Sequence, residues 1–454
     1  MKKTILLLLF IVFTIQTKAQ TPWEVLIPYP LAWNGNLIKT NDDNVVFSLF
    51  SSDDFSSKIF KYNTDDGSLI WEQPLLDNQN NYYTPRKIIE TSDGGFLLTK
   101  RYSSTNSLIK LDSNGILVNQ SSTSVGFGSL VETDNYYVVR QNYDVVSQNY
   151  ELYYYDKQLN FSHINAINYN NYFLQGGFLL KNNNNQLFSW FSNGLTSDLQ
   201  GKAYLTNELS TAIQFENIIN FNKIDDIKNT LDNGFIFASG WQDCCFDYHQ
   251  GSVIKLDTQL NIEWANDVHD FYMIPGVAHY EYPKILATQD GQYIFAGTIG
   301  NDLFDAVLIT KIDENGNRVW RSDHPLYRYV YGIIETEDNG LVLLVTDDNV
   351  GNSSNVYLIK TNAYGSLSTG NTNMDKNTLN IYPNPTKDSI NIKFNKLFYG
   401  TITIHNVLAQ KIISLPINST LNKKIDLSKF KDGVYILKIS DTNNNHLIKK
   451  IIKQ

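Results

Sequence analysis

The sequence has 454 residues, with 37 Lys or Arg against 46 Asp or Glu, so its formal net charge is −9. Hydrophobic residues make up 42% of the chain and charged residues 18%, which excludes wholesale disorder and is enough for large cores. The two cysteines exclude a disulfide-rich scaffold and a multi-cysteine zinc module. The length allows two or three domains.

The first 19 residues have the pattern of a signal peptide. Lys2 and Lys3 precede an apolar run from Ile5 to Ile15, and Thr17-Lys18-Ala19 places small residues where cleavage occurs. The run is short for a membrane anchor, and polar sequence follows at once. We therefore expect a mature chain that begins at Gln20, passes through the periplasm and has no transmembrane anchor.

Residues 20–367 contain an internal repeat. One copy reads Ile88–Thr99, a spacer and then Leu108–Gly115, and related copies recur 40 to 58 residues apart. Each copy reads as strand, Asp/Asn-Gly turn, strand, variable loop, strand, Asn-Gly turn and strand, because primed hairpin turns need the positive φ that Gly and Asn tolerate. Seven copies of four antiparallel strands predict a seven-bladed β-propeller.

Tryptophans mark the fourth strand of the clearest copies. Trp71, Trp264 and Trp320 end these units, and we expect them to pack between blades rather than to bind a ligand. The seventh copy lacks a fourth strand, but Trp23–Ile27 resembles Trp71–Leu75. We expect this N-terminal strand to complete the last blade and to remove its exposed edge.

Charge and composition change at the C-terminal end. Residues 368–377 are small and polar and read as a linker. Residues 378–454 carry a net charge of +8 and alternate with period two, which predicts an all-β chain ending in a small Ig-like β-sandwich. Residues 20–377 carry −20, which argues against a nucleic-acid partner because such binding needs basic phosphate contacts.

The C-terminal residues carry a family resemblance. Gly400–Asn406, the sorting-motif residues and a Lys-rich last strand resemble the type A sorting domain of the type IX secretion system of Bacteroidota, although Ala409 stands where the family commonly has Gly. The resemblance implies the outer-membrane translocon as a partner and a secreted or cell-surface protein. The repeats resemble secreted, delta-60-like propeller proteins, which implies fold and address but no activity. The sorting-motif residues are Tyr382, Pro383, Asn384, Pro385, Gly433 and Tyr435.

The longest predicted loops belong to the fifth and sixth repeats and are the candidate ligand site. These loops are Gln242–Gly251, Ala265–Pro283 and Arg321–Tyr331. They combine aromatic rings with His and Asp side chains, which suits the binding of sugars. His together with Asp also suits a divalent cation or acid–base chemistry. The spacing gives no metal motif, so we predict no resident metal and no cofactor. The candidate ligand-binding residues are Tyr248, His249, His269, Asp270, Tyr272, His279, Tyr280, Tyr282, His324 and Arg328.

Cys244 and Cys245 are adjacent in the first of these loops. A vicinal disulfide would stiffen the loop in an exported protein. Such a bridge is strained, because the Cα atoms of consecutive residues are too close together for ordinary disulfide geometry. The redox state of the two cysteines stays open. No nucleophile elbow, HExxH motif or phosphate loop occurs, so no catalytic residue is assigned. We predict a glycan- or protein-binding or adhesion module, with a polysaccharide lyase or hydrolase as the alternative.

Overall fold

The structure is a computed structural model. It describes residues 22–29, 36–51, 54–101, 107–121, 127–141, 149–168, 174–182, 186–193, 200–206, 213–220, 224–240, 251–267, 279–301, 304–324, 326–347, 355–367, 379–406, 411–441 and 446–454. The predicted signal peptide and the predicted linker lie outside these residues, as do Cys244 and Cys245. All described secondary structure is β, and the described part of the chain contains no helix long and apolar enough to cross a membrane.

Seven four-stranded sheets account for the first 28 strands. Sheet 1 is β2–β5, sheet 2 is β6–β9, sheet 3 is β10–β13, sheet 4 is β14–β17, sheet 5 is β18–β21, sheet 6 is β22–β25, and sheet 7 has the order β26-β27-β28-β1. The strands are β1 (Trp23–Ile27), β2 (Asn36–Lys39), β3 (Val45–Phe50), β4 (Ser57–Tyr62), β5 (Leu69–Pro74), β6 (Thr84–Glu90), β7 (Phe96–Arg101), β8 (Ser107–Leu111), β9 (Leu117–Gln120), β10 (Phe127–Glu132), β11 (Tyr137–Gln141), β12 (Asn149–Tyr155), β13 (Phe161–Asn168), β14 (Leu174–Lys181), β15 (Leu187–Asn193), β16 (Gln200–Thr206), β17 (Ile213–Asn220), β18 (Asp226–Asn229), β19 (Phe235–Gly240), β20 (Gly251–Leu256), β21 (Ile262–Asp267), β22 (His279–Ala287), β23 (Tyr293–Asn301), β24 (Phe304–Ile312), β25 (Arg318–His324), β26 (Tyr329–Glu335), β27 (Leu341–Thr346) and β28 (Val356–Thr361).

Every pairing within these sheets is antiparallel and joins strands by hairpins, as the alternating turn residues predict. β1 is also antiparallel to its partner, but no hairpin joins the two strands. It pairs with β28, which lies at the other end of the repeat region, with Trp23 opposite Lys360 and Ile27 opposite Val356. Sheet 7 is therefore built from both ends of the repeat region.

The first strands of the seven sheets contact one another in a closed circuit. β2 contacts β6, β6 contacts β10, and the series continues through β14, β18, β22 and β26 back to β2. Seven hydrophobic clusters lie between successive sheets, including one between sheets 7 and 1 that contains Ile27, Phe47 and Val342. Apolar side chains of this region are thus buried between neighbouring sheets, and this burial stabilises the arrangement of the sheets.

Tryptophans join neighbouring sheets at the turns that follow third strands. The rings of Trp23, Trp71, Trp264 and Trp320 lie against Gly67, Gly115, Gly316 and Gly365, each of which has positive φ. A Cβ at Gly115 would lie 2.7 Å from the Trp71 ring, so the turn needs Gly for both space and backbone conformation. This geometry confirms the expected packing of these tryptophans between repeat units.

The C-terminal residues form one separate five-stranded sheet. Its strands are β29 (Leu379–Tyr382), β30 (Ser389–Asn406), β31 (Lys411–Asp426), β32 (Gly433–Asp441) and β33 (His446–Lys453). β30 pairs with β31 along most of its length, with β29 at its first half and with β32 at its second half. Its core includes Ile392, Ile404 and Leu437, which are fully buried.

Candidate functional site

Most of the predicted ligand-binding residues lie in loops outside the described residues. Tyr248, His249, His269, Asp270 and Tyr272 fall there. His279, Tyr280 and Tyr282 belong to β22, where the backbone of His279 lies opposite Gly300 and that of Tyr280 opposite Ile299. Their role in ligand binding therefore stays a prediction.

His324 and Arg328 are the two predicted site residues whose side chains are described. His324 is 6% exposed, and its Nε2–H donates a hydrogen bond of 2.8 Å to the carbonyl oxygen of Gly365. Burial lowers the pKa of His324, against the smaller opposing effect of this hydrogen bond. The Arg328 guanidinium lies 4.9 Å from the centre of the Tyr329 ring, and its backbone N–H donates to Thr346. Both residues tie strand ends together.

A Thr–Asp–Lys arrangement recurs at the first hairpin turn of five sheets. In sheet 2, Thr91 donates to Asp93, Asp93 accepts the N–H of Gly95, and Lys110 from the third strand lies 2.8 Å from Asp93. The same ion pair joins Lys61 to Asp42, Lys255 to Asp232, Lys311 to Asp290 and Lys360 to Asp338 at 2.6–2.7 Å. The sequence repeat contains these residues, but their pairing across two strands becomes visible only in the fold.

Sheets 5 and 6 enclose a pocket of about 470 Å³ beside one of these ion pairs. Lys255 is 1% exposed and lies 2.7 Å from both Asp232 and Glu263, while these two carboxylates are about half exposed. The Trp264 and Tyr293 rings have centroids 5.8 Å apart. Trp264 also donates its indole N–H to the carbonyl oxygen of Glu314.

The chemistry of this pocket is mixed aromatic and acidic. Asp232, Glu263 and Glu314 outnumber the single cation Lys255. Burial, and then the nearby carboxylates, raise the pKa of Tyr293, so its hydroxyl stays protonated and can donate. The pocket lies at the hairpin turns, whereas the sequence placed the candidate site in the long loops. The sequence does contain one signal of this pocket. A glutamate directly precedes Trp264, whereas Ile70 and Val319 precede the corresponding Trp71 and Trp320.

Charged side chains also occur on the first strands of three sheets. We call Lys87 of β6, Asp226 and Lys228 of β18, and Lys284 of β22 the central cluster. Lys87, Asp226 and Lys284 hold equivalent positions, four residues before the turn residues Thr91, Thr230 and Thr288. Asp226 accepts hydrogen bonds from Lys228 at 2.6 Å and from the backbone N–H of Ile285 at 3.1 Å.

Burial and the charge of Lys228 lower the pKa of Lys87 to about 8, with Lys284 adding to this effect and Asp226 opposing it. Sheets 3 and 4 separate β6 from β18 along the circuit of first strands. Burial alone would raise the pKa of Asp226, but the charges of Lys228 and Lys284 and the two hydrogen bonds hold it below its usual value.

Within the described ranges, no group of three or more His, Cys, Asp or Glu side chains has the arrangement of a metal site.

The predicted sorting motif lies along the last strand of the C-terminal sheet. The Asn384 side chain donates to the carbonyl oxygen of Lys450 at 2.7 Å and accepts the N–H of Ile452 at 2.8 Å. Tyr435 donates its hydroxyl to the carbonyl oxygen of Lys431. The motif thus extends the sheet edge with side-chain hydrogen bonds, and Gly433 begins β32.

Residues 380–454 match the family described as the secretion system C-terminal sorting domain. This confirms the resemblance identified from the sequence. This domain indicates that the protein is exported and is secreted or held at the cell surface.

One curated relative is an endo-acting ulvan lyase from Formosa agariphila. It is 28% identical over 146 residues, which cover 30% of this chain and 28% of the lyase. The chain therefore matches little more than a quarter of the length of that relative.

Two solved structures have a limited overall similarity to this chain. Virginiamycin B lyase from Staphylococcus aureus has a TM-score of 0.49 at 12% identity, covering 75% of this chain and 99% of that chain. A polysaccharide lyase has a TM-score of 0.48 at 10% identity, covering 75% and 91%.

Proposed function

We propose that the protein is a secreted or surface-held polysaccharide-binding module with a seven-bladed β-propeller in residues 20–367, followed by a linker and an Ig-like sorting domain in residues 378–454. Seven four-stranded sheets, seven inter-sheet cores and the closed circuit of first strands support the propeller. The division of β30 between β29 and β32 supports a sandwich in the C-terminal sheet.

The observation that carries the function is the pocket between sheets 5 and 6. It places Trp264 and Tyr293 beside Asp232 and Glu263. Aromatic faces pack against the C–H faces of sugar rings, and carboxylates accept hydrogen bonds from sugar hydroxyls. A pocket of this size and mixed lining suits one or two sugar units of a chain.

A polysaccharide lyase is the second candidate, because the relative from Formosa agariphila is a lyase. Cleavage of a polysaccharide by a lyase needs an acid and a base at the reacting sugar. In this reading His269 and His279 are the candidate acid–base residues, with the Asp and Tyr residues around them.

Retention of the full mature chain on immobilised polysaccharides tests the binding function. We expect Trp264→Ala to reduce retention at least tenfold. Trp71→Ala is the matched control, because it removes the equivalent tryptophan between sheets 1 and 2 and leaves the pocket intact. Equal retention of both variants and the parent chain would contradict the assignment of the pocket.

Product analysis on the retained polysaccharide separates the two functions. A binding module releases no oligosaccharide, whereas a lyase produces unsaturated ends that absorb in the ultraviolet. His269→Ala and His279→Ala should leave retention unchanged if the chain only binds through the pocket. Loss of product formation in either variant would establish the lyase instead.

A further inference from the structure

The charges that line the pocket between sheets 5 and 6 do not balance. Asp232, Glu263 and Glu314 contribute three carboxylates, whereas Lys255 is the single cation among the lining residues. The Lys255 ammonium lies 2.7 Å from each of the first two carboxylates. It also donates to the backbone carbonyl oxygen of Leu256 at 2.9 Å. Because an ammonium group has three N–H donors, these contacts leave Lys255 no donor for an anionic ligand.

Glu314 is the lining carboxylate that the lysine does not reach. Its side chain is exposed and accepts a hydrogen bond of 3.4 Å from the side chain of Asn315. Within the ranges that the structure describes, Glu314 forms no ion pair. Its backbone carbonyl oxygen accepts the indole N–H of Trp264, so the turn that carries this charge is tied to the aromatic wall of the pocket.

Tyr293 is an independent indication of a ligand. It lines the pocket, is 4% exposed and has its ring centroid 5.8 Å from that of Trp264. In the part of the chain that the structure describes, its hydroxyl has no hydrogen-bond partner. A buried hydroxyl normally has a partner, so this group is available to water or to a ligand in the pocket.

We propose that the pocket binds a sugar unit that carries an ammonium group, so that the ligand is an amino-sugar polymer rather than a neutral or acidic one. This inference rests on the polysaccharide-binding function proposed above. The sugar ammonium forms a charge-assisted hydrogen bond with Glu314, and the aromatic faces of Trp264 and Tyr293 also attract a cation. A carboxylate or sulfate group is repelled, because it meets excess negative charge and no free cationic donor.

Calorimetric titration of the full mature chain with three oligosaccharides of equal length tests this preference. They are oligoglucosamine, the same oligomer after N-acetylation, and oligogalacturonate, all at about pH 6 and low ionic strength. We expect oligoglucosamine to bind at least tenfold more tightly than its acetylated form and oligogalacturonate not to bind. Added salt should reduce the preference, because it screens exposed charges. Equal affinity for the first two oligomers, or tighter binding of oligogalacturonate, would overturn the proposal.

Two conservative variants test whether the charge of the pocket itself is responsible. Glu314→Gln should weaken binding of oligoglucosamine about two- to fivefold, as expected for an exposed ion pair, and leave binding of the acetylated oligomer unchanged. Glu72→Gln is the matched control, because it removes a partly exposed carboxylate that pairs with Lys58 in sheet 1. Equal losses in the two variants would show that the net charge of the protein attracts the amino sugar, and would contradict a selective pocket.

Trp264→Ala separates failure of this proposal from failure of the binding function. If the acetylated oligomer or oligogalacturonate binds as tightly as oligoglucosamine, and Trp264→Ala abolishes that binding, the pocket binds polysaccharides and only the preference for amino sugars is wrong. If none of the three oligomers binds and no immobilised polysaccharide retains the parent chain, both proposals are wrong.

Discussion

Single residues show how one repeated motif gives different energies in different surroundings. Asp338 and Asp93 make the same contacts with a Thr, a Gly and a Lys, but the Asp338 side chain is 6% exposed and that of Asp93 is 61% exposed. Removing one partner of a buried ion pair leaves a charge without compensation, whereas exposed pairs contribute little. The turn motif should therefore matter most in sheet 7.

We expect Asp338→Ala to lower the free energy of unfolding by about 3 kcal/mol and Asp93→Ala by about 1 kcal/mol or less. Urea denaturation of the full mature chain measures both, and each variant is the control for the other because the backbone turn is the same. Equal losses would show that burial of the carboxylate does not determine the contribution of the turn.

Acid should destabilise the protein through these same aspartates. Burial would raise the pKa of Asp93, but hydrogen bonds from Lys110, Thr91 and Gly95 outweigh it and hold the pKa at about 2. The pKa of Asp42 is also about 2 for the corresponding reasons. Because the folded-state pKa lies below the unfolded value, this stabilisation is present above about pH 4 and is lost as the pH falls toward 2.

Thermal unfolding between pH 5 and pH 2 tests this pH dependence. We expect the melting temperature to fall steeply below about pH 4 in the parent chain. In Asp42→Asn combined with Asp93→Asn, the fall over the same interval should be smaller. An unchanged slope in the double variant would assign the acid sensitivity to other carboxylates.

At the scale of elements, the contact between a tryptophan and the next turn sets the spacing of sheets. Gly115 and Gly94 both have a φ of 78° and close hairpins of sheet 2. A Cβ at Gly115 would meet the Trp71 ring at 2.7 Å, whereas a Cβ at Gly94 would meet nothing within 4 Å. The two glycines share a backbone requirement and differ in the space around them.

Gly94→Ala should lower the free energy of unfolding by about 1–2 kcal/mol, because alanine is strained at positive φ. Gly115→Ala should cost about 1–3 kcal/mol more, because the added methyl group displaces Trp71. Chemical denaturation with tryptophan fluorescence measures both the stability and the environment of the ring. Equal losses of stability in the two variants would mean that the Trp71 ring moves away from the added methyl group without loss of free energy.

The elements also show what the sequence can predict. The strands, their turns and the tryptophan contacts follow from local patterns, since Asp-Gly turns and period-two alternation act within a few residues of one another. The central cluster could not be predicted in this way. Lys87, Asp226 and Lys284 are far apart in the chain, and only the closed circuit of first strands relates their positions in space.

The candidate pocket was missed for a related reason. Trp264 looks like every other inter-unit tryptophan in the sequence, and only the fold shows Glu263 and Asp232 sharing Lys255 beside it. The loop residues that the sequence favoured, such as His269 and Tyr272, belong to segments whose pattern has no repeat to fix their place.

At the scale of the whole molecule, the pairing of β1 with β28 completes sheet 7. Removing residues 20–28 from the mature chain should expose the edge of β28 and remove Ile27 from the core between sheets 7 and 1. We expect a lower melting temperature and concentration-dependent association. Addition of a synthetic peptide of residues 22–28 should reverse both effects, whereas a scrambled peptide should not. No change on deletion would show that the edge strand is dispensable.

The same pairing has a mechanical consequence. Among the described strands, β28 directly precedes the C-terminal sorting domain, so a pull through that domain acts first on β28. Because β1 and β27 flank it, the strand is held by two ladders of hydrogen bonds instead of one. Resistance to forced unfolding is governed by the unfolding rate rather than by equilibrium stability. If the protein stays attached to the cell through its C-terminal end, a bound polymer under drag exerts force on sheet 7. Pairing of β1 with β28 then opposes the separation of β28 from the closed circuit of sheets.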